Sequence, residues 1–428
     1  GNGAGGARID IGAYERQTLA PSFFVVDTLI DELDGNYSPG DISLREAVSA
    51  ANGSPGANTI SFAAALTAGG PATIVLTMGQ MEITEAATIA GPGAALLTID
   101  ASGSDPTPAL NNGDGSRIFL LNDQHVPGDA DFAISGLTFT GGDIAYANGY
   151  AIGGAIYNSD RLTITSCVIQ DNSADRGGGI ANRFAELELI DCIVTGNSGR
   201  AFGGGIYSAA SPTTIRSSTV SGNSAVGKGG GIAGGPPVVV DSIVHGNSAQ
   251  NVGGGIFGSP TVINSTISNN MAQWNGGGIY NDGGYITIDS STIRGNGGYF
   301  GGGVFSDGEK VTITNSTIRE NEALFGGGIY SSDEILEIVG STIRDNRATV
   351  HGGGIYFLGG PLSVIRSSTI SGNEAYHNGG GMFVTPTYRV SLRHSTVTNN
   401  TADADNDGVG RGGGIHGVRA IGSPVVTV

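Results

Sequence analysis

Gly326-Gly-Gly-Ile-Tyr330 and Gly352-Gly-Gly-Ile-Tyr356 are two copies of one phrase, separated by Leu336-Glu-Ile338, Ser341-Thr-Ile343 and Asn346. Such glycine blocks return eleven times, at steps close to 25 residues, and the last step is the longest at 33 residues. Their final small residues are Ala155, Gly179, Gly205, Gly231, Gly255, Gly278, Gly303, Gly328, Gly354, Gly381 and Gly414. A fixed period of this size indicates one supersecondary unit stacked many times.

Each repeat has room for strands and turns but for no helix. Apolar and polar residues alternate over runs of three to five residues rich in Val, Ile and Thr, which is typical of half-buried strands. Gly, Asn and Asp fill the gaps, as they do in turns. Three short strands per repeat make one coil of a parallel β-helix, so the sequence predicts an all-β solenoid with strands about 4.8 Å apart.

Three columns of side chains follow from the repeat. An aliphatic column is predicted to face inward and comprises Ile169, Val194, Val220, Val244, Ile267, Ile293, Ile318, Ile343, Ile370 and Val397. A column of small residues, two positions earlier, is also predicted to face inward: Cys167, Cys192, Ser218, Ser242, Ser265, Ser291, Ser316, Ser341, Ser368 and Ser395. The third column is predicted to lie at a corner: Asn172, Asn197, Asn223, Asn247, Asn270, Asn296, Asn321, Asn346, Asn373 and Asn400. This asparagine column is either a binding stripe or a structural ladder of amides.

Cys167 and Cys192 are the only cysteines, and they occupy the same position on successive coils. One strand spacing lies within the Cα–Cα range of a disulfide. In-register parallel neighbours seldom aim their Cβ atoms well for a bridge, however. A pair of buried thiols and a disulfide are therefore both open.

The composition limits the possible partners. The net charge is −18 and there are only two lysines, so nucleic acid is not an expected partner. No apolar run reaches 18 residues, and no membrane span is expected. The chain starts at Gly1 without an initiator Met or a signal peptide, which favours a mature or excised product.

One helix is predicted near the N-terminus, at 43–52. Ser43 and Glu46 form a capping box, Leu44 and Val48 begin an apolar stripe, and Asn52-Gly53 ends it. The helix is well placed to cover the first coils. We therefore divide the chain into an N-terminal strand segment (1–17), a cap (18–62) and a β-helix (63–428) that is regular from about residue 150.

Gly40-Asp-Ile-Ser-Leu-Arg-Glu-Ala47 resembles the Cys-Ser-Leu-Arg-Glu-Ala motif of bacterial secreted right-handed β-helix proteins, with Ile42 in place of Cys. The Gly-Gly-Ala-Ile and Ile-x-x-Asn phrases are similar to the repeats of chlamydial polymorphic outer-membrane proteins. The resemblance covers roughly residues 23–420. It implies a right-handed parallel β-helix with a short N-terminal capping helix and an extracellular or cell-surface location of bacterial type. It says little about activity.

The two ends of the chain suggest self-assembly. In the family that the chain resembles, segments like Asp10-Ile-Gly-Ala-Tyr-Glu15 usually follow the last coil, and here the segment comes first. The C-terminal coil stops after Ser423-Pro-Val-Val426 without a Ser-Thr-Ile-x-x-Asn phrase. Either the N-terminal strand of one molecule completes the end of the next, or the chain is one unit of a tandem polyprotein. An arbitrary fragment, or a strand that folds on its own helix, is the other possibility. The predicted assembly residues are Arg8, Ile9, Asp10, Ile11, Gly12, Ala13, Tyr14, Glu15, Val425, Val426 and Val428.

An acidic loop is a candidate calcium site. Asp403, Asp405 and Asp407 alternate before Gly408, like the first half of a calcium loop, and they lie in the longest step of the repeat. Gly414, not Glu, stands at the twelfth position, so a helix-loop-helix site is not supported. Calcium is the one cofactor expected, against a solvated acidic loop. Asp31, Asp34 and Asn36 are a weaker candidate.

Aromatic residues form an outward column after the glycine blocks. They are Tyr207, Phe257, Tyr280, Phe305, Tyr330, Tyr356 and Phe383, and Ala181, Ala233 and His416 interrupt them. Tyr280, Phe305, Tyr330 and Tyr356 could stack on sugar, or the rings could simply stack on each other.

The remaining charged residues do not predict a catalytic set. Arg294, Arg319 and Arg344 recur on three coils near Glu320, Glu322 and Asp345, either as a carbohydrate-processing groove or as a solvated charge stripe. The six histidines fall at unrelated positions of the repeat and predict no catalytic pair.

Two functions remain. The first is a structural subunit or tandem module of an extracellular filament or surface adhesin, not an enzyme, whose partner is another copy of itself joined head to tail, with polysaccharide or a cell surface as a further partner. The second is a secreted carbohydrate-active enzyme of the pectate-lyase-like kind.

Overall fold

The protein is described here by a computed structural model that covers residues 22–122, 130–144, 152–281, 283–332, 335–360, 363–385 and 390–417, and the backbone of Val426–Thr427. All strand pairs between named strands in this part of the chain are parallel and join residues about one repeat apart, such as Ile293 with Ile318. The molecule is therefore a right-handed parallel β-helix of about 12 turns, as predicted.

Three long sheets form the walls of the solenoid. The first sheet has 15 strands in the described residues: Ser22–Val26, Asn58–Phe62, Ala87–Ala90, Asp131–Ser135, Arg161–Thr165, Leu187–Ile190, Thr213–Arg216, Pro237–Val240, Thr261–Ile263, Tyr285–Asp289, Lys310–Thr314, Ile335–Val339, Ser363–Arg366, Val390–Arg393 and Val426–Thr427. The second sheet has 13: Met81–Ile83, Phe119–Leu121, Ile156–Asn158, Ile180–Arg183, Ile206–Ala209, Ile232–Gly234, Ile256–Phe257, Ile279–Asn281, Val304–Ser306, Ile329–Ser331, Ile355–Phe357, Met382–Val384 and Ile415–Gly417. The third also has 13: Ala72–Val75, Leu97–Asp100, Thr138–Thr140, Val168–Gln170, Ile193–Thr195, Thr219–Ser221, Ile243–His245, Thr266–Ser268, Thr292–Arg294, Thr317–Arg319, Thr342–Arg344, Thr369–Ser371 and Thr396–Thr398.

Two shorter sheets fill the corner that leads to the glycine blocks. One contains Ser173–Arg176, Ser198–Phe202, Ser224–Ala225, Ser248–Ala249 and Met271–Ala272. The other contains Glu322–Phe325, Arg347–His351 and Glu374–Ala375. The described helices are one α-helix, α1 (Leu44–Asn52), and two short 3₁₀ turns, Ala64–Thr67 and Ala101–Ser104. None of them is long and apolar enough to cross a membrane.

Each regular coil bends where the backbone takes a positive φ. In one coil these corners are Ser290 (φ 50°), Gly295 (φ 62°) and Gly301 (φ 62°). The second glycine of each block is required for a different reason. A Cβ on Gly327 would lie 2.3 Å from the carbonyl oxygen of Arg347 on the next coil, so no other residue fits. The glycine blocks thus set the closest approach between coils.

The bore of the solenoid is filled by aliphatic side chains. The predicted inward column is fully buried from Ile169 to Ile370, and the residue that follows each glycine block from Ile156 to Met382, such as Ile329, is equally buried. Removing an Ile or Val side chain from water contributes about 1.5–3 kcal/mol. The same site recurs on every coil, so the core stabilises stacking in one register.

The asparagine column forms a continuous ladder inside the wall. Asn296 Nδ2 donates to Asn321 Oδ1 at 3.0 Å and to the carbonyl of Ile267 at 3.0 Å. Its own Oδ1 accepts from the backbone N–H of Asn270 at 2.9 Å. The pattern repeats from Asn172 to Asn400. The structural interpretation of this column is therefore supported, and its buried members offer no exposed binding stripe.

Helix α1 covers the core at the N-terminal end, and its sequence explains where it begins. Ser43 is the N-cap: its hydroxyl accepts from the backbone N–H of Glu46, whose carboxylate accepts from the N–H of Ser43. Leu44, Ala47, Val48 and Ala51 are buried. The predicted capping box is thus present, with the helix starting at Leu44. The division at residue 62 stays a prediction, and Ser22–Val26 already pairs with Asn58–Phe62 in the first sheet.

We expect Asn296→Ala to lower the free energy of unfolding by about 2 kcal/mol or more. The substitution leaves the buried N–H of Asn270 and the carbonyl of Ile267 without their partner, and each unsatisfied buried group costs about 1–3 kcal/mol. Chemical denaturation measures the change. Asn251→Ala at an exposed position is the control, with an expected effect within about 0.5 kcal/mol. Equal changes in the free energy of unfolding for the two substitutions would contradict a stabilising role of the asparagine ladder.

Candidate functional site

The aromatic column of the second sheet is a continuous stack of rings. Successive centroids from Phe257 to Phe383 lie 4.9–5.6 Å apart with interplanar angles of 2–13°. The spacing follows from the sheet, because residues in register on parallel strands repeat about every 4.8 Å. The prediction that His416 interrupts the column is wrong, since its ring stacks on Phe383 at 5.3 Å.

This stacking limits what the column can bind. Tyr280, Phe305, Tyr330 and Tyr356 each have a ring neighbour on both sides along the rod. Their faces are therefore used by one another, and only ring edges and the tyrosine hydroxyls point outward. Burial raises the pKa of Tyr330 to about 12, so its hydroxyl stays protonated. Sugar stacking at these four residues stays a prediction, and the geometry favours the structural alternative.

Three histidines meet at the C-terminal part of the column, against the expectation from the sequence. The His351 ring lies 4.7 Å from Phe383 and 5.6 Å from His377, and His416 stacks on the other side of Phe383. His351 precedes a glycine block, as Phe300 and Phe325 do, and that position lies beside the aromatic column. The sequence could have revealed this contact, because His351 occupies the same position of the repeat as Phe300 and Phe325. Side chains at that position, before the glycine block, contact the aromatic column that follows the block.

The His351 ring is poorly suited to proton abstraction. Burial, followed by the charges of His377 and His416, lowers the pKa of His351. Burial and the charge of Arg411 lower the pKa of His416. Both effects favour neutral rings. However, His351 Nδ1 accepts a hydrogen bond from the backbone N–H of Asn378 at 3.2 Å, which engages the lone pair that a general base would need.

The acidic loop at 403–407 brings its three carboxylates together. One oxygen from each of Asp403, Asp405 and Asp407 lies within 4.8 Å of the others. The loop is half-buried to exposed, and Asp403 Oδ1 and Asp407 Oδ1 accept from the N–H groups of Gly408 and Val409 at 3.0 and 2.9 Å. These residues could hold a metal ion. Calcium binding there stays a prediction.

The weaker calcium candidate near the N-terminus is not supported. Asp31 Oδ1 accepts from Arg45 at 2.7 Å, and Asp31 Oδ2 accepts from the N–H groups of Thr77 and Met78 at 2.7 and 2.9 Å. Its carboxylate therefore ties α1 to a neighbouring turn. In the described part of the chain, this segment is not among the acidic groups close enough to share an ion.

A second acidic group exists that the sequence pattern missed. Asp105, Asp114 and Asp143 each place one carboxylate oxygen within 4.8 Å of the others. They come from the irregular N-terminal coils, where no period links one residue to another, so their sequence spacing gave no indication of their proximity.

The other candidate residues have structural roles. Arg294, Arg319 and Arg344 stack in register on the third sheet, and Arg319 pairs with Glu320 and Arg344 with Asp345. These are local, exposed pairs, and they form a charge stripe rather than a cluster.

The cysteines are buried free thiols and not a disulfide. Burial raises the pKa of Cys167 to about 12 and that of Cys192 to about 11. They replace serine in the column of small residues, and each thiol donates to a nearby carbonyl.

The last coil is less covered than the coils before it. A cavity of about 570 Å³ opens there, lined by Leu392, Arg393, His394, Ser395, Val397 and Ile415. Val397 and Asn400 are half-buried, whereas Ile370 and Asn373 at the same positions one coil earlier are fully buried. Val426–Thr427 adds a strand to the first sheet beside Val390. The predicted assembly residues Arg8 to Glu15, Val425 and Val428 lie outside the described residues.

A comparison with protein families supports the right-handed β-helix fold seen in the structure. Residues 204–368 match the family model described as a right-handed beta helix region. No curated protein matches the sequence.

Two solved structures are similar to this chain at low sequence identity. The A-module of the mannuronan C-5 epimerase AlgE4 of Azotobacter vinelandii is 13% identical, with 90% of this chain and 94% of that chain covered and a TM-score of 0.50. PfbA, a surface adhesin of Streptococcus pneumoniae, is 10% identical, with 83% and 87% covered and a TM-score of 0.37. At 13% identity, the likeness to the AlgE4 A-module shows the fold alone.

Acidification should destabilise the protein partly through His351. Its pKa is lowered in the folded state, so the unfolded chain binds more protons as the pH falls below about 6.5 and stability is lost there. We expect His351→Asn to show a smaller fall in melting temperature between pH 7 and pH 5 than the wild type, because an asparagine oxygen can replace Nδ1 without titrating. His245→Asn, at an exposed position away from this group, is the control. An unchanged pH dependence in His351→Asn would contradict the role assigned to this ring.

Proposed function

We propose that the chain is a structural unit of an extracellular or cell-surface assembly of bacterial type, in which β-helices stack head to tail. The observation that carries this proposal is the contrast between the two ends. Helix α1 buries its apolar face on the N-terminal end of the core. The C-terminal coil leaves Val397 and Ile415 half-buried around a cavity of about 570 Å³.

The last coil, which is less covered than the others, carries the same serine and asparagine columns that join the coils inside the solenoid. Asn400 Oδ1 accepts from Asn373 and Ser395 Oγ from Ser368, so in the described residues both ladders end at this coil. An added coil or strand would pair with the backbone here and bury the half-exposed aliphatic groups. It would come from Arg8 to Glu15 of another copy, or from the following module of a tandem chain. Such a contact does not close on itself and makes a filament.

Other features support a structural role outside the cell. The rings of the aromatic column stack on each other, the asparagine ladder is internal, and Arg319 and Arg344 of the arginine stripe pair with adjacent acidic residues. A net charge of −18 keeps a long rod soluble. Calcium in the loop at Asp403, Asp405 and Asp407 would offset the repulsion between three like-charged side chains beside the last coil. Polysaccharide or a cell surface would then be contacted by the sides of the rod.

Electron micrographs of the purified full chain test the assembly. We expect rods longer than one molecule, and we expect deletion of residues 1–17 to leave monomers in light scattering if strand donation joins the units. Ile415→Asp should also block assembly, because it places a charge at the apolar end. Ile243→Asp is the matched control, since Ile243 is 45% exposed on the side of the rod and its substitution should leave assembly intact.

Monomers from the wild-type chain at high concentration would contradict assembly of separate chains. Rods that persist unchanged after the deletion would exclude donation by residues 1–17. Circular dichroism of each variant shows whether the β-helix itself is retained.

A secreted carbohydrate-active enzyme of the pectate-lyase-like kind is the second candidate. The observation in its favour is the group of His351, His377 and His416 beside Tyr356. Against it, Nδ1 of His351 is engaged by a backbone N–H, which occupies the lone pair that would abstract a proton. Reducing-end assays on acidic and neutral polysaccharides test it. Cleavage that is lost in His351→Asn and kept in His245→Asn would establish this candidate over the first.

A further inference from the structure

Asp105, Asp114 and Asp143 lie close together in two loops that project from the irregular N-terminal coils. We call the first loop, residues 105–115, the excursion. Asp105 and Asp114 belong to the segment between Ala101–Ser104 and Phe119–Leu121, and Asp143 follows Thr138–Thr140. One oxygen of each carboxylate lies within 4.8 Å of the others. Two oxygens that bind one Ca²⁺ at 2.3–2.6 Å are at most about 5 Å apart. The observed separations therefore fit a single shared ion.

The Asp143 side chain is buried and incompletely satisfied. The residue is 3% exposed, and Oδ2 accepts from the N–H of Gly113 at 2.5 Å. Oδ1 is buried and has no hydrogen-bond partner. A buried carboxylate oxygen without a partner carries a desolvation cost that a bound cation would offset. This observation does not depend on the clustering of the three residues, and it points to a positive ligand.

The guanidinium of Arg200 is near Asp143 but does not donate a hydrogen bond to its Oδ1. Its Nη2 lies 3.9 Å from Asp143 Oδ1, beyond hydrogen-bond distance, and donates instead to the carbonyl of Asn111 at 2.9 Å. Its Nη1 approaches Asp175 Oδ1 at 3.4 Å. One guanidinium thus serves two carboxylates, Asp143 and Asp175, and the carbonyls of Asn111 and Ile144, and Asp143 is close to two further acidic groups. The local charge remains negative.

The surrounding contacts hold the three carboxylates in place. Asp105 Oδ1 accepts from the N–H of Thr107 at 2.7 Å, and Asp114 accepts from the hydroxyl of Thr107 and from Asn112. Asp114 also forms a β-bridge with Ile144, next to Asp143. Like-charged groups held this close are stabilised when a divalent ion binds between them.

We propose that Asp105, Asp114 and Asp143 form a binding site for a divalent cation of the calcium type. The carboxylates supply three oxygens, and water completes the shell of six to eight that Ca²⁺ takes. Bound ion would fasten the excursion at 105–115 to the wall of the solenoid at Asp143. The site is separate from the acidic loop at 403–407, which lies at the other end of the rod.

Isothermal titration of the EDTA-treated full chain with Ca²⁺, together with melting curves with and without Ca²⁺, tests the site. We expect Asp143→Asn to lose one equivalent of Ca²⁺ and most of the rise in melting temperature that this equivalent produces. The asparagine keeps an oxygen for the N–H of Gly113, so the loop contact survives. Asp131→Asn is the matched control, because Asp131 is exposed on a neighbouring coil and lies outside the cluster.

Asp114→Asn separates binding from folding. Asp114 is exposed, so its substitution should leave the fold intact while weakening Ca²⁺ binding at this site at least tenfold. If Asp143→Asn fails to fold, this variant alone decides the question. Wild-type stoichiometry and affinity in the folded variants would overturn the proposal, and Ca²⁺ bound by the loop at 403–407 alone would then account for any uptake.

Discussion

The buried hydrogen bond between the asparagines of successive coils is the constraint on which the rest of the structure depends. Each amide donates forward to the next asparagine and sideways to a strand carbonyl, and accepts a backbone N–H from the coil before. A slip by one residue would break all three bonds on every coil and turn the aliphatic column outward. The register is therefore fixed many times over, and the glycine blocks and ring stack repeat at the same spacing.

That constraint also decides where chemistry can occur. On the regular coils, side chains that repeat in register contact their own kind, so aromatic faces, amides and hydroxyls are used inside the columns. In the described residues, the groups of three acidic side chains lie where the repeat is interrupted or lengthened. The two acidic groups lie in such places, one in the excursion at 105–115 and one in the long step at 403–407. The histidine group lies beside the last coils, where His351 and His416 replace aromatic rings.

The sequence predicted what is periodic and missed what is not. The solenoid, the inward aliphatic column, the ladder at Asn296 and the capping box at Ser43 all follow from a pattern visible within one or two repeats. His351 and Phe383 occupy different positions of the repeat. Their contact was therefore not visible when residues were compared only with others at the same position. The proximity of Asp105 to Asp143 depends on an irregular excursion whose path no spacing rule gives. The convergence of Asp403, Asp405 and Asp407 is short-range and was visible from their alternation.

Hydrogen exchange at the backbone amides of the asparagine column tests the account most directly. If the ladder fixes the stacking of the coils, the amides of Asn197 to Asn346 should be among the slowest to exchange in the chain, and protection should fall toward Asn400 at the less covered end. Exchange of these amides as fast as that of the exposed turns, or uniform protection through the last coil of the isolated molecule, would contradict it.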